Sequence, residues 1–202
     1  MSAEPLARTP SRRGLGPLWA MAMIFGLPFL AAVLFYLNPG WLPQSQANRG
    51  MLIDPPVAAA TWRLQGVDDR PMTLAEAANT WIILLITGSD CGPRCVARLH
   101  ELRQVRRAAG VERARVERML LFSTSPAADS VTRLKQDDPR LMLGVSQRDQ
   151  LIDQPLEPGA VVLIDPLGDA MMYYPATASA KDLLKDLKRL LKVSKDWRVP
   201  RQ

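Results

Sequence analysis

Histidine and cysteine are the scarcest reactive residues here: the 202 residues hold one histidine, His100, and two cysteines, Cys91 and Cys95. One histidine excludes a site that needs two imidazoles, and two cysteines allow at most one internal disulfide. Internal repeats and long low-complexity tracts are missing too, so a solenoid is excluded. The length suits one domain plus an appendage and is short for two full domains. One long uncharged run sits near the N-terminus. "LWAMAMIFGLPFLAAVLFYL", Leu18 to Leu37, has no charged residue, and at about 1.5 Å per helical residue it reaches roughly 30 Å, the thickness of a bilayer core.

This stretch predicts a transmembrane helix over residues 17–38. Trp19 at one end and Tyr36 with Trp41 at the other suit the two interfaces, and Pro28 is expected to kink the helix without ending it. Arg8, Arg12 and Arg13 precede the run and the next basic residue is Arg49, so the charge bias keeps a basic tail, 1–16, in the cytoplasm. The competing reading is a cleaved signal peptide with a site at Ser45 to Ala47. The apolar run is long for such a peptide and that site lies well beyond its end, which favours an uncleaved single-pass anchor. The rest of the chain is expected outside the cytoplasm, where two cysteines can form a disulfide. The net charge of +6 would suggest nucleic acid in a cytosolic protein. Export removes that partner, leaving anionic lipid or an acidic protein surface.

Residues 39–57, rich in proline, glycine and polar residues, read as a linker, and the domain is expected over 58–195 with a tail at 196–202. "ATWRLQG" reads as a short strand, "TLAEAAN" as a helical turn, and "TWIILLIT" (80–87) as a strand buried on both faces. Val96, Leu99, Leu102, Val105 and Ala109 mark an amphipathic helix ending near Gly110. "VERMLLFST" (116–124) is a second buried strand. Ser125 and Pro126 open a helix that runs to Asp137, and "RLMLGV" is a short edge element. "AVVLIDPLGDAMMYYP" (160–175) reads as two strands around a turn at Pro166 to Gly168, and Ser179 caps a last helix, 180–193. This order is that of a three-layer α/β domain.

Cys91 and Cys95 fall between a buried strand and the start of a helix. Unpaired N–H groups and the positive helix end stabilise a thiolate there. A spacing of four lets the two sulfurs share a soft cation such as Cu(I) or close a disulfide, and an inert structural disulfide is the plainer alternative. His100 lies five residues after Cys95, roughly 140° around a helix turning about 100° per residue, so it points to the solvated side with Arg103 and Arg107. The arginines between 98 and 118 read first as a solvated helix face and second as a docking surface for an acidic partner. One of Met171 and Met172 belongs in the core.

Taken together, the anchor, the Cys91-x-x-x-Cys95 spacing after a buried strand, and "LIDPLGDAMMYY" (163–174) resemble the Sco/SenC family. These are membrane-anchored proteins of thioredoxin-like fold that assist copper loading of cytochrome c oxidase. The resemblance covers about residues 48 to 193. "NRG" at 48–50 and the run from Cys91 to Arg106 are similar to a divergent branch associated with terminal oxidase assembly.

The resemblance implies a thioredoxin-like domain on a bacterial inner membrane, facing the periplasm. It implies catalytic roles and Cu(I) ligation for Cys91 and Cys95, and as partner an oxidase subunit or another copper or thiol assembly factor. There are departures. Gly92 and Val96 stand where the family has proline after each cysteine, and "QPLEPGAVV" (154–162) has no histidine where the third copper ligand is expected. Pro158 is similar to the cis-proline that faces the cysteines in thioredoxins. Loss of the third ligand favours thiol–disulfide exchange, as of an oxidoreductase, over copper handling. The alternatives are a non-catalytic scaffold docking through its basic face and a general exported oxidoreductase.

Overall fold

The structure, a computed structural model, describes residues 16–38, 49–74, 79–146, 151–153 and 156–197. The basic tail with Arg8, Arg12 and Arg13, Trp41, the Ser45 to Ala47 site, Asn48, Gln154 and the end of the C-terminal tail lie outside the described residues, as do most of the helical turn expected at 73–79 and the first part of the linker.

The chain divides into two units, Met1–Gln46 and Ala47–Gln202. In the first, α1 runs from Gly16 to Leu37 and continues through Pro28. Its large apolar side chains are exposed along its length, Phe29 by 72%. With a mean hydropathy of 2.2 over its most apolar window, it is long and apolar enough to cross a membrane by length and composition.

The second unit is built on an eight-stranded sheet: β1 (Met51–Ala58), β2 (Leu64–Gly66), β3 (Pro71–Met72), β4 (Trp81–Thr87), β5 (Val116–Phe122), β6 (Met142–Ser146), β7 (Val161–Ile164) and β8 (Asp169–Tyr174), in the order β1-β8-β7-β4-β5-β6-β2-β3. Every residue of β4 is buried, as its unbroken β-branched and leucine run requires of a central strand covered on both faces. It pairs in parallel with β5 and antiparallel with β7. Alternate side chains divide the core. Trp81, Ile83 and Leu85 pack with Leu99, Leu102 and Val105 of α2 (Pro93–Ala108), Leu134 of α3 (Ala128–Asp137) and Leu183, Leu187 and Leu191 of α4 (Ala180–Val193). Ile82, Leu84 and Ile86 face the other way, onto Ile53, Trp62, Leu74, Leu151 and Ile152.

The hydrophobic periods place α2 and α4 well. Ser179 caps α4 by accepting from the Asp182 N–H at 3.1 Å, and Gly168 takes the φ of +95° that the β7–β8 turn needs. Two expectations are corrected. The last part of the linker, residues 51–57, forms with Ala58 a strand paired with β8. Pro55 and Pro56 hide it in the sequence; they are tolerated because β1 is at the sheet edge, with its register interrupted between Leu52 and Val57. The element in "RLMLGV", read as an edge, is internal because β2 pairs with it antiparallel. That pairing joins segments far apart in sequence, beyond the reach of local pattern.

Candidate functional site

The site begins where β4 ends. Thr87, the last residue of the strand, donates its hydroxyl to the Asp90 carbonyl at 2.9 Å. The Ser123 N–H reaches back to the Thr87 and Gly88 carbonyls, so the loop is tied to β5 before it reaches Cys91. Gly92 then starts α2 in an extended conformation and Pro93 takes the first turn, where its missing N–H costs nothing because that donor would be unpaired in any helix. Cys95 falls in that turn. Cys91 and Cys95 form a disulfide, with Cα atoms 5.1 Å apart. Both residues are half-buried against the helical core. The first turn of α2 carries no acidic residue to offset its positive end.

The two cysteines open on different sides. Cys95 borders a cleft of about 920 Å³, together with Pro93 and Arg98, facing Pro158, Gly159 and Thr177. Cys91 borders a hollow of about 600 Å³ between α2 and α3, with Val96, Ser130 and Asp137. Asp90 lines both openings, its carboxylate accepting from the Ser130 hydroxyl at 2.8 Å. Pro158 therefore stands across the cleft from Cys95, but through a trans peptide: among the described residues Asp54–Pro55 alone is cis.

His100 is exposed, its Nε2 within 3.5 Å of the Gln104 amide nitrogen. It lines a separate cavity with Arg103 and Arg118. The stretch that lacks the third ligand offers Glu157, whose carboxylate already accepts the Ala176 N–H at 3.0 Å. Among the described residues no group of three or more His, Cys, Asp or Glu is placed to hold a metal ion. A disulfide also presents no thiolate. The donor set present does not fit a resident copper ion.

The arginines between 98 and 118 are only partly a solvated face. Arg98 donates to the Ala178 carbonyl and to Glu101, both at 2.8 Å. Arg106 donates to the Val116 carbonyl, and Arg115 to the carbonyls of Leu191 and Ser194. Arg118, buried on β5, pairs with Asp138. Arg98 thus ties α2 to the segment before α4, Arg106 ties α2 to the start of β5, Arg115 ties the 3-10 helix Gly110–Arg115 to the end of α4, and Arg118 ties β5 to the residue after α3, while Arg107 and Arg113 stay exposed. Sequence periodicity cannot tell a guanidinium that snorkels inward to a carbonyl from one in water.

A second buried cluster escaped the sequence reading. Asp186, on the inner face of α4, accepts from the Arg49 and Gly50 N–H groups at 2.7 and 3.0 Å and from the Tyr174 hydroxyl at 2.9 Å. Burial, then the Asp186 charge, raises the Tyr174 phenol far above its ordinary value, so it stays a donor. A side chain at Gly50 would meet the Tyr174 ring 2.5 Å away, which explains a glycine in "NRG". The one available signal was an aspartate in the leucine stripe of α4.

No curated protein sequence matches this chain. Solved structures do match in shape. The apo Sco1 protein of Thermus thermophilus is 13% identical, the match covering 73% of this chain and 99% of that one with a TM-score of 0.56. Yeast Sco1 is 16% identical over 74% and 97% of the two chains, TM-score 0.52. The copper-bound ScoI of Arabidopsis thaliana is 12% identical over 71% and 98%, TM-score 0.51. At such identities the likeness establishes the thioredoxin-like fold that these proteins share. Residues 81–194, more than half of the chain, match the family model described as the transmembrane-like, thioredoxin-like C-terminal domain, and the chain belongs to that family.

Proposed function

We propose that this protein is a membrane-anchored assembly factor for cytochrome c oxidase that works by thiol–disulfide exchange through Cys91 and Cys95. The observation that carries the reading is the Cys91–Cys95 disulfide, seated at a strand-to-helix junction and bordering two open hollows. In the exchange, the Cys91 thiolate attacks a partner disulfide and one partner sulfur leaves. Cys95 then attacks the mixed disulfide, releasing the partner as a dithiol and leaving Cys91–Cys95 oxidised. The positive end of α2 stabilises the attacking thiolate. The oxidase enters through the resemblance to Sco/SenC proteins, whose fold this chain shares.

The basic tail 1–16 is placed in the cytoplasm of a bacterium, α1 in the inner membrane, and the domain in the periplasm, with a short tail at 196–202. Copper enters as cargo. Two reduced sulfurs can hold Cu(I) in passing, with further ligands supplied by the protein that delivers or receives it.

Replacing both cysteines by serine in cells tests the reading. Oxidase activity and oxidase-bound copper are expected to fall to the level of a deletion strain. If both survive that change, yet vanish on reversing the exposed charges of Arg107 and Arg113, the scaffold reading is correct and the dithiol is not used. A general exported oxidoreductase would instead alter many periplasmic disulfides on deletion. Titrating the reduced protein with Cu(I) separates cargo handling from exchange alone: one-to-one binding that needs both cysteines supports the former.

A further inference from the structure

Arg98 stands out among the charges around the dithiol. It lies three residues after Cys95 on α2, on the same side of the helix, and helical side chains lean back toward the N-terminus and so toward the turn that carries Cys95. Both residues line the same cleft, to which Cys91 does not contribute. The Arg98 side chain is only 11% exposed. Its two terminal nitrogens are engaged by Glu101 and the Ala178 carbonyl, which hold the guanidinium in place. Its Nε is buried with no acceptor. A buried charged donor without an acceptor is costly, and a neighbouring group that becomes an acceptor removes that cost. In the oxidised pair the Cys95 sulfur is neutral and a weak acceptor; as a thiolate it is a strong one.

We infer that Arg98 is a positioning residue of the dithiol: when the disulfide opens, its guanidinium faces the Cys95 sulfur and holds it as a thiolate. This rests on the exchange reading above and assigns unequal roles within it. A donor dithiol attacks Cys91, the Cys91–Cys95 bond breaks, and Cys95 leaves carrying the electron pair against Arg98. The donor's second sulfur then displaces Cys91. The donor ends as a disulfide, Cys91 ends as a thiol, Cys95 remains a thiolate, and one proton passes to water. In the reverse direction Cys91 gives up its proton and attacks as the thiolate, the departing partner sulfur takes that proton, and the Cys95 thiolate is the resolving nucleophile. Arg98 thereby stabilises the reduced protein and makes the disulfide a stronger oxidant.

The test equilibrates the full-length protein in detergent with dithiothreitol redox buffers at neutral pH and reads the reduced fraction by thiol alkylation. Arg98→Gln is expected to move the equilibrium about tenfold toward the disulfide, a potential about 30 mV more negative. Arg98→Lys should fall between that variant and the wild type. Glu101→Gln, which frees the guanidinium of its counter-charge, should move it about twofold the opposite way, the size expected of an exposed pair. An unchanged equilibrium in a folded Arg98→Gln variant overturns the inference, as does an equal shift on Arg94→Gln, which alters a more exposed arginine between the cysteines. Should Arg98→Gln fail to fold, an unchanged equilibrium in Glu101→Gln overturns it instead. Oxidase copper that survives loss of both cysteines would refute the exchange reading and leave these equilibria as they are.

Discussion

The two ends of β4 are built on opposite plans. At its start Trp81 is fully buried, its indole donates to the Ser194 hydroxyl at 2.9 Å, and its ring stacks on Trp197 with centroids 6.3 Å apart. Arg115 closes that end by binding the Leu191 and Ser194 carbonyls. At its finish the strand opens into Gly88, Ser89, Asp90 and the disulfide, between two open hollows. A strand packed this tightly at one end can hold a loop at the other in a defined place without burying it, and reactive sulfurs need such access.

The sharpest test of this contrast is Trp81→Ala. It removes the largest side chain of the closed end and is expected to cost about 3 to 5 kcal/mol in urea unfolding of the soluble part, enough to threaten folding. Next comes Asp186→Ala, which strands the Arg49 and Gly50 N–H groups and the Tyr174 hydroxyl. A loss of about 2 to 3 kcal/mol, measured the same way, is expected. Serine at both Cys91 and Cys95 should cost less, about 2 kcal/mol, because the bridge spans only four residues of sequence. If that double change destabilised the domain as much as Trp81→Ala, the open end would be structural and the contrast would fail.

The smallest effect is expected at Asp165, in the β7–β8 turn, whose Oδ1 accepts from the Leu167 and Asp169 N–H groups at 2.8 and 2.9 Å. Burial raises its carboxyl above the ordinary value, helped by the Asp169 charge and opposed by those bonds. A raised carboxyl binds its proton more tightly when folded, so ionisation is a stability cost above the folded value that disappears as pH falls through it. Asparagine keeps the accepting oxygen and never ionises. Asp165→Asn should therefore melt at or slightly above the wild type at neutral pH, with the difference shrinking toward acid in thermal melts read at successive pH values.

Much of the domain was legible because it obeys local rules. The β4 and β5 runs, the stripe of α2, the Ser179 cap and the Gly168 turn each announce themselves within a dozen residues, and so does the charge-free run of α1. The approach of Cys91 to Cys95 follows from a spacing of four at a helix start. What stayed hidden depends on contacts between distant segments. Met51–Ala58 becomes a strand because β8 offers it a partner 111 or more residues later. Asp186 is an acceptor, not a flaw in a leucine stripe, because three donors from elsewhere converge on it. Arg98, Arg106, Arg115 and Arg118 are fastened inward because carbonyls and a carboxylate wait there. A pattern of periods and caps specifies which face a residue presents. Only the packed chain decides what that face meets, since a donor and an acceptor form a hydrogen bond only where folding brings them within reach.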